Sequence, residues 1–574
     1  MIKIKNKKDK YFFEYPDFQN VKEIIYDSVS KYPNNTAFIL KEKKNEDVEY
    51  INITFKEFLD DINNLGTGLY NLDLKNKRIA IISKNRYEWV LSFTSTLLGN
   101  MVVVPLDKGL TEIEIENSVK RTNPDAIIFD NAMEEVISKI KEKEEVNIKE
   151  YICMDDNEKY QTLSEIKNKG KKLRENGDLD FENAKIDSEK VSELCFTSGT
   201  SATSKIVKLS QRNIAFDISA MHATEDFRET DVNLAFLPFH HTFGSTGILY
   251  ILSYGAATAF PDGLRYIAQN LKEYGISVFI GVPILIETMY KKIMKEIEKQ
   301  GKINSVKIAR KVTNIIPIIK RKVFKQIIDN LGGKLRVIIS GAASLDKEVW
   351  KAFNEFGIKI IQGYGLTETA PVVAAENFKY GKKGSIGFPL KGIKVKIFDK
   401  NEQGIGELAV KGPNVMLGYY DDEEETKKVF REGWFLTGDL AYIDKEGFIF
   451  ISGRKKNVIV LKNGKNVYPE ELELLINKIP LVKESMVFGM PKEDDLVVSV
   501  KVQYDEEYVK SNLSKMNEKD INNVLWEKIK EINRTLPTYK YIKNMIVTKD
   551  DFIKTTTAKI KRFEEMKKIQ HVTN

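Results

Sequence analysis

The sequence predicts an α/β protein with mostly parallel sheets, followed by a small antiparallel β unit and a second, smaller domain. Three observations carry this expectation. Through the first 380 residues, short β-branched runs alternate with longer amphipathic stretches, as parallel sheets crossed by helices require. After about Gly384, short runs follow one another directly with Gly and Asp turns between them, an antiparallel pattern. From about Lys455, helical patterning returns, with long charged stretches near 505–530. A chain of 574 residues also exceeds what one compact core holds.

The expected strands of the first part are Arg78-Ile-Ala-Ile-Ile-Ser83, Met101-Val-Val-Val-Pro105, Ala126-Ile-Ile-Phe-Asp130, Val278-Phe-Ile-Gly281 and Leu335-Arg-Val-Ile-Ile-Ser340. They are continuous apolar runs, which is how strands buried on both faces read. Between them the spacing predicts helices over 55–72, 112–122, 283–299 and 345–356. The apolar stretch Trp89 to Leu106 carries Ser92, Thr94, Ser95, Thr96, Gly99, Asn100 and Pro105. It fits a buried helix followed by a strand better than a membrane span. In the β unit, Val395-Lys-Ile-Phe, Gly406-Glu-Leu-Ala-Val-Lys and Gly447-Phe-Ile-Phe-Ile-Ser are the expected strands.

Composition narrows the function. The net charge is +7, but 90 basic residues are interleaved with 83 acidic ones, too even a balance for a nucleic-acid binder. Cys153 and Cys195 each sit in an apolar run and are expected to be small buried hydrophobes. The four histidines and two cysteines contain no HExxH or CxxC spacing, so no protein-built zinc site is expected. Met1-Ile-Lys-Ile-Lys-Asn-Lys-Lys has no apolar core of a signal peptide, and an intracellular, cytoplasmic protein is expected. The segment 302–325 holds eight Lys or Arg and no acid. Its many apolar residues favour two helices packed on the large domain and broken near Pro317. A basic amphipathic segment lying in the interface of a membrane's inner face is the competing reading.

Several motifs carry chemistry. The run Thr197-Ser198-Gly199-Thr200-Ser201-Ala202-Thr203-Ser204-Lys205 follows an expected strand. Six of its nine residues bear hydroxyls and it ends on Lys, a composition suited to a polyphosphate. A polar surface loop explains the run as well, and Ser204-Lys205-Ile206 falls short of a Walker loop. Gly363-Tyr364-Gly365-Leu366-Thr367-Glu368-Thr369 follows an apolar run. Its glycines allow close backbone approach, and a Glu beside a Thr suits Mg²⁺ on phosphate. Gly433-Trp-Phe-Leu-Thr-Gly438-Asp439 presents an acid after a tight turn, suited to ribose hydroxyls. Gly453-Arg454-Lys455-Lys456, Gly464-Lys-Asn-Val-Tyr-Pro469 and Lys554-Thr-Thr-Thr-Ala-Lys559-Ile-Lys-Arg562 come next in order.

Together these segments, from about residue 20 to 565, resemble the adenylate-forming superfamily of AMP-binding enzymes, and within it the long-chain fatty acyl-CoA synthetase branch. The resemblance implies a large domain, 1–455, of two parallel-sheet α/β subdomains plus a small β-barrel-like unit, and a small mobile α+β lid, 456–574. It implies an enzyme that activates a medium- to long-chain fatty acid with ATP and Mg²⁺, releases pyrophosphate, and passes the acyl group to coenzyme A. By the same resemblance, Thr197, Ser198, Gly199, Thr200, Ser201 and Lys205 would wrap the phosphates, and Thr200 and Glu368 would hold the metal. Thr367 would touch the α-phosphate and His241 would line the carboxylate site. Gly341, Ala342, Ala343, Gly363, Tyr364 and Gly365 would wall the adenine and acyl head. Asp439 and Arg454 would bind the ribose, Lys456 would be the hinge, and Lys559 would bridge the carboxylate and α-phosphate.

The chain departs from the pattern at Ala202, Ser204 and Ile206, where the loop usually carries Gly, Pro and Gly. It departs again at Ala558, usually Gly, and at Gln211, usually His. An acyl carrier protein as acceptor, and a weakly active member that binds nucleotide or acyl chains, are the alternatives these features leave open.

Overall fold

The computed structural model describes residues 11, 13–44, 47–143, 145–197, 204–224, 226–462, 465–492, 495–555 and 559–573. The described chain forms two compact units. The first takes in most of the chain up to residue 394 together with 410–433, and the second takes 395–409 and 434 onward.

The first unit is built on two sheets, each with a core of six parallel strands. One runs Phe388–Pro389, Val372–Ala375, Lys359–Gly365, Val337–Ser340, Val278–Gly281, Val232–Leu234, Ala257–Ala259, Thr36–Lys44, Asp47–Thr54 across its width. It is parallel from Lys359–Gly365 through Thr36–Lys44. The other runs Gly418–Tyr419, Ile206–Ser210, Val191–Phe196, Val102–Pro105, Arg78–Ile82, Ala126–Phe129, Glu150–Cys153, Gln161–Thr162. It is parallel from Val191–Phe196 to its last strand. Strands in the middle of these sheets are buried along nearly their whole length. Helices must therefore cover both faces.

Those helices follow the sequence closely. Helices occupy Phe55–Asn71, Glu112–Thr122, Pro283–Lys299 and Lys347–Phe356, within two residues of the expected limits. The apolar stretch after Arg86 is a buried helix, Tyr87–Leu98, followed by a strand, Val102–Pro105. Thr54 and Glu57, and likewise Thr111 and Glu114, make reciprocal side-chain bonds at their helix starts, so the first-turn N–H groups are satisfied. One apolar cluster joins Ile79 and Ile81 of one sheet to Val278 and Ile280 of the other, through Trp89, Phe93, Leu249 and Leu252.

The second unit holds an antiparallel sheet built mainly on Lys394–Phe398, Gly406–Lys411, Trp434–Ile443 and Ile449–Arg454. It also holds a long hairpin, Val482–Lys492 with Asp495–Tyr504, extended in parallel by Asn544–Thr548. Helices Pro469–Ile476 and Glu518–Asn533 pack on that hairpin through Leu472, Ile476, Leu525 and Ile529. The hairpin stands where the sequence suggests helices. Its second strand alternates Val498, Val500 and Val502 with Ser499, Lys501 and Gln503, a two-residue period that announces a strand and that the helical expectation for this region passed over. The sequence draws a domain line at 455; by contacts the β unit groups with the residues beyond it, and Asn401 Nδ2 donates to Tyr468 Oη at 3.5 Å across that line.

Strand Val191–Phe196, which leads into the phosphate-type loop, carries a buried acid. Cys195 Sγ donates to Glu193 Oε1 at 2.9 Å, and Glu193 Oε2 has no partner among the described residues. Burial pushes this carboxyl from 4.5 up to about 7, because desolvation penalises the charged form. Unfolded, the group loses its proton near 4.5; folded, it keeps the proton up to about 7. The folded state is therefore progressively disfavoured as pH rises between those values. Glu193→Gln is expected to match the parent near pH 4 and to be more stable at pH 8 by up to about 3 kcal/mol. Urea unfolding across this range checks it; parallel stability profiles for the two proteins would contradict the raised value.

Candidate active site

The carboxyl ends of adjacent parallel strands gather most of the expected residues of the first unit. Val337–Ser340 leads directly into Gly341-Ala342-Ala343, and the neighbouring strand Lys359–Gly365 ends on Gly363, Tyr364 and Gly365, with Ser340 paired to Gln362. Val232–Leu234, in the same sheet, leads into the segment ending at His240 and His241. In open parallel sheets, ligands lie outside the carboxyl ends of the strands, where successive loops converge.

Local geometry explains the small residues. A Cβ on Gly341 would stand 2.8 Å from the Phe243 ring, so glycine lets that ring lie against the backbone. Ala342 is held at φ +70°, a left-handed conformation that costs a non-glycine residue about 1–3 kcal/mol and concentrates at functional sites. A Cβ on Gly365 would come within 1.7 Å of the Pro371 carbonyl. Gly365 thus allows the strand to turn tightly into the short helix Thr367–Thr369. His241 occupies the N-cap of helix Thr242–Leu252, and its carbonyl accepts from Gly244 N and Ser245 N. Its ring centroid is 4.3 Å from that of His240, whose Nε2 lies 3.3 Å from Asp107 Oδ2. Thr246 Oγ1 reaches the Ala370 carbonyl at 3.4 Å, tying this helix to the segment after Glu368.

A second set of contacts surrounds Lys205. Thr197 N donates to the Lys205 carbonyl at 2.9 Å, and Lys205 N donates to Thr197 Oγ1 at 3.3 Å. The two ends of the hydroxyl-rich run are thereby pinned together. Ser198, Gly199, Thr200 and Ser201 lie outside the described residues, so the assigned phosphate and metal contacts of these four are carried by sequence alone. The Lys205 ammonium is 2.8 Å from Glu425 Oε2 and 4.6 Å from the centroid of the Tyr419 ring. Tyr419 Oη donates to Glu368 Oε1 at 2.9 Å. Hydrogen bonds from Lys205 and Lys428 hold Glu425 down at about 2. Burial, and then the Glu368 carboxylate, push the Tyr419 phenol well above its usual value. A lone carboxylate on Glu368 fits Mg²⁺, which is held through one or two carboxylates and the substrate's own phosphates.

The second unit contains the remaining expected residues. Asp439 and Arg454 face each other as register partners on antiparallel strands, with Arg454 Nε 2.8 Å from Asp439 Oδ1. Asp439 lies inside strand Trp434–Ile443, where the sequence suggests a turn; Gly438 is at φ +71° and the register slips between Leu440 and Ala441. Lys456 is exposed in the short helix Lys455–Asn457. Lys559 is exposed beside an isolated bridge between Lys554 and Ile560, with its N–H donated to Thr555 Oγ1. The structure thus brings Asp439 to Arg454, Lys205 to Thr197 and Gly341 to the strand of Gly363. Sequence reasoning missed Asp107, Tyr419 and Glu425. Tyr419 and Glu368 are 51 residues apart, and no local pattern links them.

Comparison with known proteins gives the family. The family described as AMP-binding enzyme matches residues 25–420, and the AMP-binding enzyme C-terminal domain matches residues 456–571. The chain belongs to the AMP-binding enzymes. It is similar to fatty acyl-CoA synthetase B of Dictyostelium discoideum, 28% identical over 554 residues, covering 89% of this chain and 81% of that one. It is also similar to the chloroplastic long-chain-fatty-acid–[acyl-carrier-protein] ligase AEE15 of Arabidopsis thaliana, 26% identical over 77% of this chain and 71% of that one. Among solved structures, the anthranilate CoA ligase AuaEII in complex with anthranoyl-AMP shares the fold, with a TM-score of 0.76 at 19% identity over 96% of this chain and 98% of that one.

Glu425 occupies the ammonium of Lys205 as an anion would. Glu425→Gln removes that competitor, and ATP affinity by calorimetry is expected to rise by up to about fivefold, the usual limit for a half-exposed ion pair. An unchanged affinity would mean that Lys205 does not reach phosphate.

Proposed function

We propose that the chain is a long-chain fatty acid–CoA ligase that works through an acyl-adenylate. A carboxylate oxygen of the fatty acid attacks the α-phosphorus of ATP, the bond to the β-phosphate breaks, and pyrophosphate leaves. The sulfur of coenzyme A then attacks the acyl carbonyl carbon, and AMP departs with the bonding pair. The observation that carries this reading is family membership, joined to similarity over 89% of the chain to a protein named a fatty acyl-CoA synthetase.

In this reading Lys205 and the hydroxyls from Thr197 to Ser201 hold the β- and γ-phosphates. Glu368, with Thr200, would hold a Mg²⁺ ion, which would supply neutralisation of phosphate charge when bound. Thr367 contacts the α-phosphate, and His241, at a helix N-terminus, lines the carboxylate site. Gly341, Ala342, Ala343, Gly363, Tyr364 and Gly365 wall the adenine and acyl head. Asp439 accepts from the ribose hydroxyls beside Arg454. Two anions react in the first step, so positive charge is needed where negative charge builds up. Lys559 supplies it, and pivoting of residues 456–574 about Lys456 withdraws it before thiolation. The acceptor is coenzyme A; the carrier-protein thiol is kept as a second reading because a relative bears that name. A peripheral position at the inner face of a membrane belongs to the same reading.

A thioester-formation assay with acids of graded chain length, offering coenzyme A or acyl carrier protein, tests the function. Acyl-CoA from medium- or long-chain acids is expected; no ATP/pyrophosphate exchange with any acid would reduce the chain to a binding protein. Lys559→Ala is expected to lower acyl-AMP formation by ~10²–10³ while thiolation of supplied acyl-AMP survives. Equal loss in both half-reactions would remove that role. Asp439→Ala is expected to weaken ATP binding by about 1.5–3 kcal/mol, which calorimetry reads directly.

A further inference from the structure

The segment 302–325 contains a helix with two apolar faces, only one of which packs against other described residues. Helix Ile303–Ile315 turns Ile303, Val306 and Ala309 onto the core beside Phe353 and Phe356, with Thr313 buried. Arg310 pairs with Glu355, and Asn314 Nδ2 donates to Glu355 Oε1 at 2.7 Å. Beyond Pro317, Lys320 Nζ donates to the Asn354 carbonyl and Arg321 to the Leu335 carbonyl. The segment is thus anchored on the first unit, as packing of its apolar residues predicts.

The opposite face is apolar too. Ile308, Val312 and Ile315 recur at four- and three-residue spacing, which puts them in one row on a helix. Ile316 and Ile318, also exposed, follow directly after the helix end. Ile308 is 64% exposed, Ile315 82% and Ile318 91%. No core requirement explains five exposed branched side chains in one stripe, and a contiguous apolar patch of this kind marks an interaction surface. Lys302, Lys307, Lys311 and Lys322 border it, all exposed and without an acidic partner among the described residues.

We propose that this stripe is a docking surface for an anionic lipid bilayer, with the isoleucines in the acyl boundary and the four lysines among the headgroups. Charge chooses the occupant. A second copy of the chain meeting itself across a two-fold axis would set one cluster of lysines against another, with no acid in 302–325 to offset them. An anionic headgroup layer complements both the stripe and its border. No described helix is long and apolar enough to cross a membrane, so the contact is one of lying on the surface. The surface gives the peripheral position of the proposed ligase a definite seat and in that respect rests on that reading; its test reads binding without catalysis, so the two can fail separately.

The full chain is sedimented with vesicles of phosphatidylcholine alone, or mixed with phosphatidylglycerol, at low and high salt. Pelleting is expected only with the anionic mixture, and release by salt, since exposed charges are screened over about 10 Å at 0.1 M. Replacing Lys307, Lys311 and Lys322 by Gln is expected to weaken binding about fivefold for each lysine. Ile315→Asp with Ile318→Asp is expected to abolish it while the unfolding midpoint stays that of the parent, because both side chains are exposed. Equal recovery in the supernatant with both lipid mixtures would overturn the proposal. So would a lipid-free dimer in sedimentation velocity that the same double substitution dissolves, which would give the stripe to a second copy.

Discussion

A parallel strand cannot be reached from its neighbour by a tight turn. The chain must leave at the carboxyl end, cross back over one face, and re-enter at the amino end. Both sheets of the first unit obey this rule, each over six strands. Their faces are consumed by covering helices, so polar chemistry has no room there. It is displaced to the loops at the carboxyl ends. Gly341, Gly365 and His241 in one sheet, and Thr197 in the other, all follow strands in this way. The left-handed Ala342 and the close turn at Gly365 are local costs of crowding several loops at one end. The burial of Ile338 and Ile360 on the adjacent strands supplies the rigidity that sustains them.

Electrostatics is arranged by pairing within each unit. Groups suited to a charged ligand are held in pairs: Lys205 with Glu425, Glu368 with the Tyr419 hydroxyl, Asp439 with Arg454. Each partner fixes a long side chain in one rotamer before any ligand arrives, which lowers the ordering cost of binding. The pairs are unequal. Asp439 is buried, whereas Lys205 and Glu425 are each about one-third exposed. An incoming anion can therefore replace Glu425 cheaply. Loss of Arg454 would strand a buried carboxylate at much greater cost. The Lys205 pair is therefore the more easily exchanged, and the Asp439 pair the more fixed.

Most of the first unit was legible because its strands are buried on both faces and read as unbroken apolar runs; Ala126–Phe129 and Val278–Gly281 are buried throughout. Helix Glu112–Thr122 was legible to the residue, since Thr111 and Glu114 mark its start and Asn123 at φ 41° its end. Legibility failed where glycine has two uses. Gly438 suggested a turn before Asp439, yet it lies mid-strand beside a register slip, the other setting that demands such a residue. At the hairpin of 482–504 the signal was present and passed over: Val498, Val500 and Val502 alternate with Ser499, Lys501 and Gln503, the period of a strand. Long-range pairings were not readable at all. Nothing around Tyr419 or Glu425 announces that they meet Glu368 and Lys205, because those contacts are made by the fold and not by spacing along the chain.

The departures from the family pattern are best weighed by what each side chain does. Gln211 stands where the family carries a histidine, and it begins helix Gln211–His222, buried, away from solvent. Its carbonyl oxygen accepts from Val21 N at 3.1 Å and its amide donates to the Leu97 carbonyl at 2.7 Å. A neutral imidazole offers the same two functions, one donor and one acceptor, on opposite sides of a ring of similar reach. The substitution therefore keeps the hydrogen-bond arithmetic and removes the titration. Burial would in any case oppose a charged ring at this position, so a histidine here would act as a neutral bridge between helices. The residue is a strut that ties the start of helix Gln211–His222 to helices Val21–Lys31 and Tyr87–Leu98. Thr197 and Lys205 pin the ends of the hydroxyl-rich run by two hydrogen bonds, and Ile206, where the resemblance leads one to expect Gly, lies beyond the pinned pair as the buried first residue of strand Ile206–Ser210. There its branched side chain packs in the core and serves the strand.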